Sequence, residues 1–318
     1  MIPYWRLSGY YFFYFAFIGA FSPYFGLYLQ SIGSSAAQIA VLMSLMSVMR
    51  MLAPTLWGWL ADRLGVRTPI VRLSAFLSVI GFAGFLITDA YVGLFLSMAF
   101  LSFFWSAALP LVETLTFAHL KGQASRYGNI RVWGSVGFVI AVLGLGYLLD
   151  GLPVRALLWI TLAMLVGIFT CAMLIPEAGK PGVPQQPVAL RSILRRPEVV
   201  GLLAACFFMS AAHGALYIFY SLHLVAHGYS KSLVGWMWTL GVVAEIAVFM
   251  GMPQLLKAFS LRDLLVLSFV AAVLRFVLIG WGAESVAVLV FAQVLHGATF
   301  GAYHAAAVAA VNHWFGTQ

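Results

Sequence analysis

Ten apolar runs constrain this chain more than any other feature, because each is about as long as a helix needs to cross the hydrocarbon core of a bilayer. They lie near residues 8–30, 37–60, 70–88, 91–118, 129–149, 155–175, 199–224, 233–256, 263–281 and 285–311. Hydrophobic residues make up 63% of the 318 residues and charged residues only 8%, whereas a soluble domain carries roughly a quarter. The first run is too long for a signal-peptide core and lacks an A-x-A cleavage site, so we expect it to be retained. The sequence therefore predicts an all-α integral membrane protein with ten transmembrane helices.

The basic residues are distributed unevenly between the loops that join these runs. The chain carries 17 Lys and Arg against 9 Asp and Glu, a net charge of +8. If the N-terminus is cytoplasmic, only Arg155 and Lys231 fall in the loops on the opposite side. The cytoplasmic side then holds a dozen basic residues: Arg6, Arg63, Arg67, Arg72, Lys121, Arg126, Lys180, Arg191, Arg195, Arg196, Lys257 and Arg262. This asymmetry follows the positive-inside rule and predicts a cytoplasmic N-terminus. The positive charge is a topology signal, and we expect no nucleic-acid partner.

One segment interrupts the hydrophobic pattern. Residues 176–198, PEAGKPGVPQQPVALRSILRRPE, contain four prolines before a pair of arginines. Proline and glycine prevent a continuous helix here, so the segment is interpreted as a cytoplasmic linker. It separates a predicted six-helix bundle over residues 1–175 from four helices of a second bundle over residues 199–318. The other loops are short, and we expect consecutive helices to be antiparallel neighbours.

A charged turn follows the second run: WGWLADRLGVRTP, residues 57–69. Gly58 is expected to let neighbouring helices approach closely, and Gly65 to end the helix in a tight turn. The pattern G-x-x-x-D-R-x-G-x-R resembles the signature between helices two and three of the major facilitator superfamily. The resemblance implies a conformational latch on the cytoplasmic side, formed by Gly58, Asp62, Arg63, Gly65 and Arg67.

Charged residues also occur inside the predicted spans, where they are costly. There are five: Arg50, Glu113, Arg131, Glu245 and Arg275. His296, in the tenth span, joins them as a titratable group. A charge near the centre of a membrane helix costs at least ~2.5–3.5 kcal/mol and usually faces a cavity or a partner. A single such residue is equally compatible with a structural ion pair, but five in so apolar a chain favour a polar pathway through the protein.

Glu113 and Arg131 lie on the two arms of a predicted helical hairpin. Glu113 is in the fourth run, and Arg131 follows eighteen residues later at the start of the fifth. At similar depth the two side chains are expected to meet as a carboxylate–guanidinium pair. The planar guanidinium can also bind a polar substrate bidentately. Gly134 and Gly137 are expected to allow close helix packing behind Arg131.

This hairpin, VETLTFAHLKGQASRYGNIRVWGSVGF over residues 112–138, resembles the helix 4–5 hairpin of the lactose permease family, in the proton-symporter branch of the major facilitator superfamily. The Val-Glu dipeptide, the spacing to Arg and the aromatic-Gly-x-Val-Gly-aromatic run carry the resemblance. It implies that Glu113 and Arg131 contact substrate and that Phe138 stacks on it. It also implies the major facilitator fold with alternating access about a central site, for which twelve helices are the norm. The last two helices have no counterpart among the ten predicted here.

The second half shows weaker matches to the same family. AEIAVF places Glu245 where that family has a helix-eight glutamate linked to substrate and coupling. Arg275 lies near its helix-nine arginine, and Leu295-His296 matches its helix-ten Leu-His pair. Three residues after the histidine, where the family has a proton-accepting carboxylate, this chain has Thr299. The resemblance therefore implies proton coupling through Glu245, with His296 and Arg275 as associated residues.

The charges in the spans favour an anionic substrate. Three arginines face two glutamates, a surplus of one positive charge with His296 neutral. Aromatic residues, 15% of the chain, supply stacking surfaces such as Tyr14, Phe15 and Phe138. Together with Arg50 they favour an aromatic carboxylate over a sugar. The YGNIRVWGSVGF motif is similar to that of the phenylpropionate permease group, which implies the same substrate class. A sugar or nucleoside proton symporter is the alternative.

A metal-dependent enzyme and a non-transporting membrane protein are the alternatives to a transporter. His223 and His227 are four residues apart, which is metal-ligand spacing on a helix, but no carboxylate accompanies them in the span. No G-x-S-x-G or phosphate-cradling motif occurs, so we expect no enzyme, no metal site and no cofactor. A truncated, non-transporting membrane protein is the alternative of another class, because the family's last two helices are missing from the pattern.

The sequence thus predicts a secondary transporter that takes up a small organic solute together with protons. Its partners would be the solute, the proton and the lipid bilayer, and we expect a monomer. The predicted location is a bacterial inner membrane, crossed several times, with the N-terminus in the cytoplasm.

Overall fold

A computed structural model describes residues 2–121, 123, 126–178 and 195–315. The chain divides into two compact units, residues 1–185 and 186–318. Most of the predicted linker, residues 179–194, lies outside the described residues. Within the described ranges the protein is helical and has no β-strand.

Six long helices form the N-terminal unit: α1 (Tyr4–Ser31), α2 (Ala36–Leu64), α3 (Thr68–Ile87), α4 (Tyr91–Leu120), α5 (Tyr127–Gly151) and α6 (Ala156–Leu174). All six are long and apolar enough to cross a membrane, as the sequence predicted. Local sequence explains the ends of α2. Ser35 and Gln38 form a capping box before it, and Gly65 ends it in the left-handed region at φ 69°. The predicted role of Gly65 is confirmed.

Helix α1 lies at the centre of the N-terminal unit and packs most extensively against α5 and α6. Glycines bring the backbones of α1 and α5 into contact. A Cβ atom on Gly19 would lie 2.6 Å from the carbonyl oxygen of Phe138, and one on Gly137 would overlap the carbonyl of Phe12. Only a residue without a side chain fits at these positions, and the predicted close packing at Gly137 is confirmed.

The expectation that consecutive helices are nearest neighbours is wrong for α4 and α5. Helix α4 packs mainly on α2 and α3, whereas α5 packs along α1. The glycine contacts of α5 with α1 explain this choice, because close backbone packing gains dispersion energy that a lipid-filled gap does not provide. The two arms of the predicted hairpin therefore pack on different helices rather than on each other.

The C-terminal unit contains α7 (Pro197–Ala226), α8 (Lys231–Ala258), α9 (Leu261–Trp281) and a tenth span that is interrupted. The sequence predicted this span as one helix near residues 285–311. Instead it consists of α10 (Val286–Val294), a π-helical turn called π1 here (Gly297–Ala302) and α11 (Tyr303–Phe315). Turn π1 packs on α8, where a Cβ on Gly297 would lie 2.7 Å from the carbonyl oxygen of Ala244. π-Helical turns are frequent at functional sites.

The outer surface of both units is apolar. In the described ranges, ten helical spans, including the interrupted one, are long and apolar enough to cross a bilayer. Large hydrophobic side chains such as Met51, Ile87 and Trp281 are each about four-fifths exposed. A surface of this kind suits lipid, in which helices satisfy their backbone groups internally.

Candidate functional site

Arg131, in the second turn of α5, lies face to face with an aromatic ring. Its guanidinium carbon is 3.9 Å from the centroid of the Phe15 ring and 5.6 Å from that of Tyr11, both on α1. Gly134 provides the space, because a Cβ there would lie 2.7 Å from both the Arg131 Nη1 and the Phe15 ring. The side chain is half-buried, and no carboxylate of the described residues forms an ion pair with it.

Glu113 does not pair with Arg131, so the predicted carboxylate–guanidinium pair is wrong. Its Oε1 instead accepts a hydrogen bond of 3.2 Å from the Tyr127 hydroxyl. The reason is the packing of α5 on α1, which turns Arg131 toward the rings of α1. The two charges nevertheless face a common cluster, since Tyr11 and Tyr127 lie within electrostatic range of both. These two rings meet edge to face with centroids 6.5 Å apart.

Arg50, exposed in the middle of α2, lies over a second aromatic ring. Its guanidinium carbon is 5.9 Å from the centroid of Trp105 on α4. Trp105 stacks on Tyr14 of α1, with centroids 4.5 Å apart and planes at 8°. Tyr14 meets Phe15 edge to face at 5.3 Å, and Phe15 faces Arg131. A continuous series of three rings, Trp105, Tyr14 and Phe15, thus runs from one guanidinium to the other; we call it the aromatic series.

Trp105 was not among the predicted site residues. A tryptophan inside an apolar run is equally typical of a lipid-facing or core position, and only the contact with Arg50 distinguishes it. Its side chain is 3% exposed, and its Nε1 has no hydrogen-bond partner among the described residues. Tyr14 is equally buried and lies within electrostatic range of Arg50, Glu113 and Arg131. The aromatic series therefore connects Arg50 with Arg131, while Glu113 lies within electrostatic range of its central ring.

Phe138, predicted to stack on substrate, lies in the interface of α1 and α5. It is 9% exposed, and its backbone lies against Gly19. The other predicted substrate-binding residues surround the aromatic series or belong to it: Arg50, Tyr14, Phe15, Glu113 and Arg131. Their role in substrate binding stays a prediction.

The predicted latch residues lie at the turn between α2 and α3. Asp62 forms an ion pair of 3.2 Å with Arg67, and the Arg63 guanidinium lies 5.4 Å from the centroid of Trp59. Within the described part of the chain, the prediction of close helix packing at Gly58 is wrong, because a Cβ there would meet no atom within 4 Å. Helix α2 buries a different face, which carries Ala53, Trp57 and Ala61.

Glu177, just after α6, binds this turn and was missed in the sequence. Its Oε2 accepts hydrogen bonds from the backbone N–H groups of Arg67 and Thr68, at 3.0 and 2.8 Å. It thereby satisfies donors at the start of α3 that have no partner within the helix. The Arg72 guanidinium donates in return to carbonyls at the end of α6: Ala172, Met173 and Ile175. A carboxylate at the edge of a proline-rich segment gives no sequence signal for such a contact.

In the C-terminal unit, Glu245 of α8 faces His296 at the start of π1. The Glu245 Oε2 and the His296 Nε2 are 3.8 Å apart. The His296 ring also stacks on Phe300, with centroids 5.4 Å apart and planes at 18°. The structure thus brings together two of the three residues that the sequence assigned to proton coupling, while their role stays a prediction.

Arg275 of α9 lies beside this pair and is 1% exposed. Its Nε donates to the carbonyl of Ala292 at 3.1 Å, and its Nη2 to the Gln293 Oε1 at 3.1 Å. Its Nη1 is 3.3 Å from the Thr299 Oγ1 and 3.4 Å from the His213 Nε2. The sequence did not associate His213, Gln293 or Thr299 with Arg275, because the four residues become neighbours only through packing.

The histidine pair at the C-terminal end of α7, His223 within the helix and His227 directly after it, contacts backbone carbonyls. The His223 Nε2 is 3.0 Å from the carbonyl oxygen of Ile279, and the His227 Nδ1 is 2.8 Å from that of His223. The described parts of the chain contain no group of three or more His, Cys, Asp or Glu that could hold a metal ion.

A sequence profile of the MFS_1 like family matches residues 4–318. The chain belongs to this family. It is a multi-pass membrane protein and a secondary transporter of the major facilitator type.

Several curated proteins are similar to this family member. The probable 3-phenylpropionic acid transporter of Escherichia coli K12 is 30% identical over 320 residues, which cover 96% of this chain and 80% of that protein. The maltose permease of Geobacillus stearothermophilus is 31% identical over 197 residues, which cover 62% of this chain and 48% of the permease. The putative nucleoside transporter YegT of Escherichia coli K12 is 24% identical over 303 residues, which cover 88% of this chain and 69% of that protein.

Among solved structures, the nucleoside transporter NupG in its D323A form superposes with a TM-score of 0.85 at 18% identity. The superposition covers 97% of this chain and 82% of that structure. At this identity the likeness concerns the fold, and it confirms the predicted major facilitator fold.

Proposed function

We propose that this transporter takes up an aromatic carboxylate, of the phenylpropionate type, together with protons. The observation that carries the proposal is the guanidinium of Arg131, which is half-buried, stacked on Phe15 and not ion-paired to any carboxylate in the described ranges. A guanidinium in this state can offer its fork of N–H donors to a carboxylate.

The surroundings of Arg131 support an anion that carries a ring. The N-terminal unit presents two guanidiniums, Arg50 and Arg131, against the single carboxylate of Glu113 around the aromatic series. The Tyr127 hydroxyl donates to Glu113, which fixes that carboxylate away from Arg131. The remaining positive charge favours an anionic ligand, and the half-buried ring of Phe15 offers a stacking surface.

The similar proteins carry names of three substrate classes: 3-phenylpropionic acid, maltose and nucleosides. A sugar or a nucleoside has no carboxylate to pair with Arg131. The relative named as a probable 3-phenylpropionic acid transporter, which is similar over 96% of this chain, bears a name that agrees with the charges of the site.

Proton coupling is proposed for the C-terminal unit. Where the lactose permease family carries its helix-ten carboxylate, this chain has Thr299, which accepts a hydrogen bond from Arg275. Glu245 is therefore the carboxylate that would carry the proton, and His296 lies 3.8 Å from it. A proton shared by these two groups removes a charge from a region where ionised groups are costly.

We further propose a bacterial inner membrane as the location and a cytoplasmic N-terminus, because the basic residues follow the positive-inside rule. The turn with Asp62 and Arg67 would then lie on the cytoplasmic side and act as the latch of the outward-facing state. The proposed unit of transport is the monomer.

Uptake of radiolabelled 3-phenylpropionate into proteoliposomes, with and without an inward proton gradient, tests the proposal. We expect accumulation above the external concentration only when the gradient is imposed. Labelled uridine and maltose are tested in parallel. Accumulation of either one without 3-phenylpropionate would overturn the substrate class, and uptake that ignores the gradient would overturn the coupling. If none of the three enters, the non-transporting alternative is favoured.

Arg131→Lys is the variant that connects this uptake to the site. Lysine keeps the charge but loses the fork, and a hydrogen bond to a charged group contributes about 1.5–3 kcal/mol. We expect the apparent affinity for 3-phenylpropionate to fall about tenfold to a hundredfold. Arg155→Lys is the matched control, because Arg155 pairs with Asp89 at an exposed position. Equal uptake by the two variants would refute the substrate role of Arg131.

A further inference from the structure

Arg275 holds the interrupted tenth span together. Its Nε donates to the carbonyl of Ala292 at the end of α10, its Nη2 donates to Gln293 on α10, and its Nη1 donates to Thr299 within π1. A π-helical turn widens the backbone, so carbonyls near it are available to partners outside the helix. Inside a membrane such a group must find a partner within the protein. Arg275 supplies that partner from α9.

The remaining contact of Arg275 reaches a third helix, α7. The Arg275 Nη1 lies 3.4 Å from the Nε2 of His213, and the other ring nitrogen, Nδ1, lies 2.9 Å from the carbonyl oxygen of Met209. A carbonyl only accepts, so the geometry assigns the ring proton to Nδ1. The Nε2 then has a lone pair and accepts from the guanidinium. His213 is 3% exposed and thus buried against Arg275.

A proton cannot be added to His213 without breaking this contact. Protonation at Nε2 would replace the acceptor with a donor and place two positive charges side by side. We propose that His213 is a second proton site of the transporter: its protonation releases Arg275 from α7 and loosens π1, the turn that holds His296 against Glu245. His213 is a positioning residue in this scheme, since it acts on the coupling pair through Arg275. The inference deepens the proton-coupling part of the proposed function and rests on it.

The groups around His213 make the consequence of protonation specific. Among the described residues, three titratable or charged groups face its ring: Arg275 from α9, His296 from the tenth span at 6.2 Å between ring centroids, and Tyr217 on α7 at 6.0 Å. Glu245 of α8 follows through its contact with His296. The phenyl rings of Phe276 and Phe300 complete the surroundings. A new charge on His213 would therefore act first on Arg275.

Thermal unfolding of the purified protein at about pH 8 and about pH 5 tests the proposal without any substrate. The variants are His213→Gln, which keeps an acceptor and a donor but does not titrate, and His223→Gln as the control. The His223 ring makes its hydrogen bond to the backbone carbonyl of Ile279 on α9 and contacts no charged side chain of the described residues. We expect the Tm of the wild type and of His223→Gln to fall clearly further on acidification than that of His213→Gln. A uniform Tm loss in His213→Gln, equal at both pH values, would mean a merely structural role and overturn the proposal.

The ¹⁵N spectrum of the histidine-labelled wild type gives a second measurement that needs no stable variant. We expect a protonated Nδ1 and a bare Nε2 for His213 at about pH 8, and two protonated nitrogens at about pH 5. A ring that keeps its single proton at the lower pH would overturn the proposal. Both measurements are independent of uptake, so failure of the proposed function and failure of this inference are distinguishable.

Discussion

The rings of Tyr14 and Trp105 stack almost in parallel, with centroids 4.5 Å apart and 8° between their planes. The two residues belong to α1 and α4, so the stack joins the central helix of the N-terminal unit to the helix that carries Glu113. Trp105 also lies beneath the guanidinium of Arg50. The stack thereby fixes the position of the Arg50 guanidinium relative to Phe15, the ring on which Arg131 stacks.

Trp105→Leu should weaken substrate binding without abolishing transport. Leucine keeps an apolar side chain but removes the cation–π contact with Arg50, which contributes about 0.5–1 kcal/mol. We expect KM for uptake to rise about twofold to fivefold with little change in the maximal rate. Trp105→Phe should restore part of the affinity. Trp57→Leu is the control, since Trp57 packs on Phe103 and Phe104. The same KM in all three variants would exclude a role for the aromatic series.

Gly134→Ala should displace the stack of Arg131 on Phe15. The added methyl group would lie 2.7 Å from both side chains, so they must move apart. Such overpacking costs about 1–3 kcal/mol, and we expect the Kd for 3-phenylpropionate to rise about tenfold. Binding measured by calorimetry on the purified protein gives the value. Gly144→Ala on the same helix is the matched control, because a Cβ there meets nothing within 4 Å. If both variants bind equally well, the site does not depend on this stack.

Glu245→Gln should uncouple uptake from the proton gradient. Glutamine keeps the size and the acceptor oxygen near His296 but cannot take up a proton. We expect gradient-driven accumulation to disappear, while exchange of labelled for unlabelled substrate at equal pH continues. Glu284→Gln, at an exposed position of the same unit, should behave like the wild type. Accumulation that persists in Glu245→Gln would assign the coupling proton to another residue.

Glu177→Ala should lower stability, because it leaves the N–H groups of Arg67 and Thr68 without their carboxylate partner. Loss of a helix cap of this kind costs about 0.5–2 kcal/mol. We expect Tm to fall by about 2–4 °C for each kcal/mol. Glu177→Gln, which keeps one acceptor oxygen, should lie between the alanine variant and the wild type. An unchanged Tm in the alanine variant would show that water replaces the carboxylate at no cost.

The number and position of the helices could be predicted from the sequence, because the length of an apolar run reports directly on the thickness of the bilayer. Helix neighbours could not. Both the lipid-facing and the protein-facing sides of these helices are apolar. Hydrophobic periodicity therefore does not reveal that α5 packs on α1 rather than on α4. The expected pairing of Glu113 with Arg131 failed for this reason.

For the residues of the candidate site as well, what depends on composition could be predicted and what depends on contacts between helices could not. Arg50, Arg131, Glu245 and Arg275 could be singled out as candidates because a charge in an apolar run is conspicuous. Trp105 and His213 were overlooked or assigned no role, since their significance comes from contacts across helices. The interruption at π1 was invisible as well: one additional residue per turn changes the geometry of a helix without changing its composition.

The glycine contacts between α1 and α5 have a consequence for movement. At Gly19 and Gly137 backbone meets backbone, and no side chain lies in between that could adopt another rotamer. Sliding of α1 along α5 would require the two helix backbones to separate first. Phe15 and Arg131, one on each helix, must therefore travel together as a single rigid body. During a transport cycle the Arg131 guanidinium can change its orientation in the membrane while it stays stacked on the Phe15 ring.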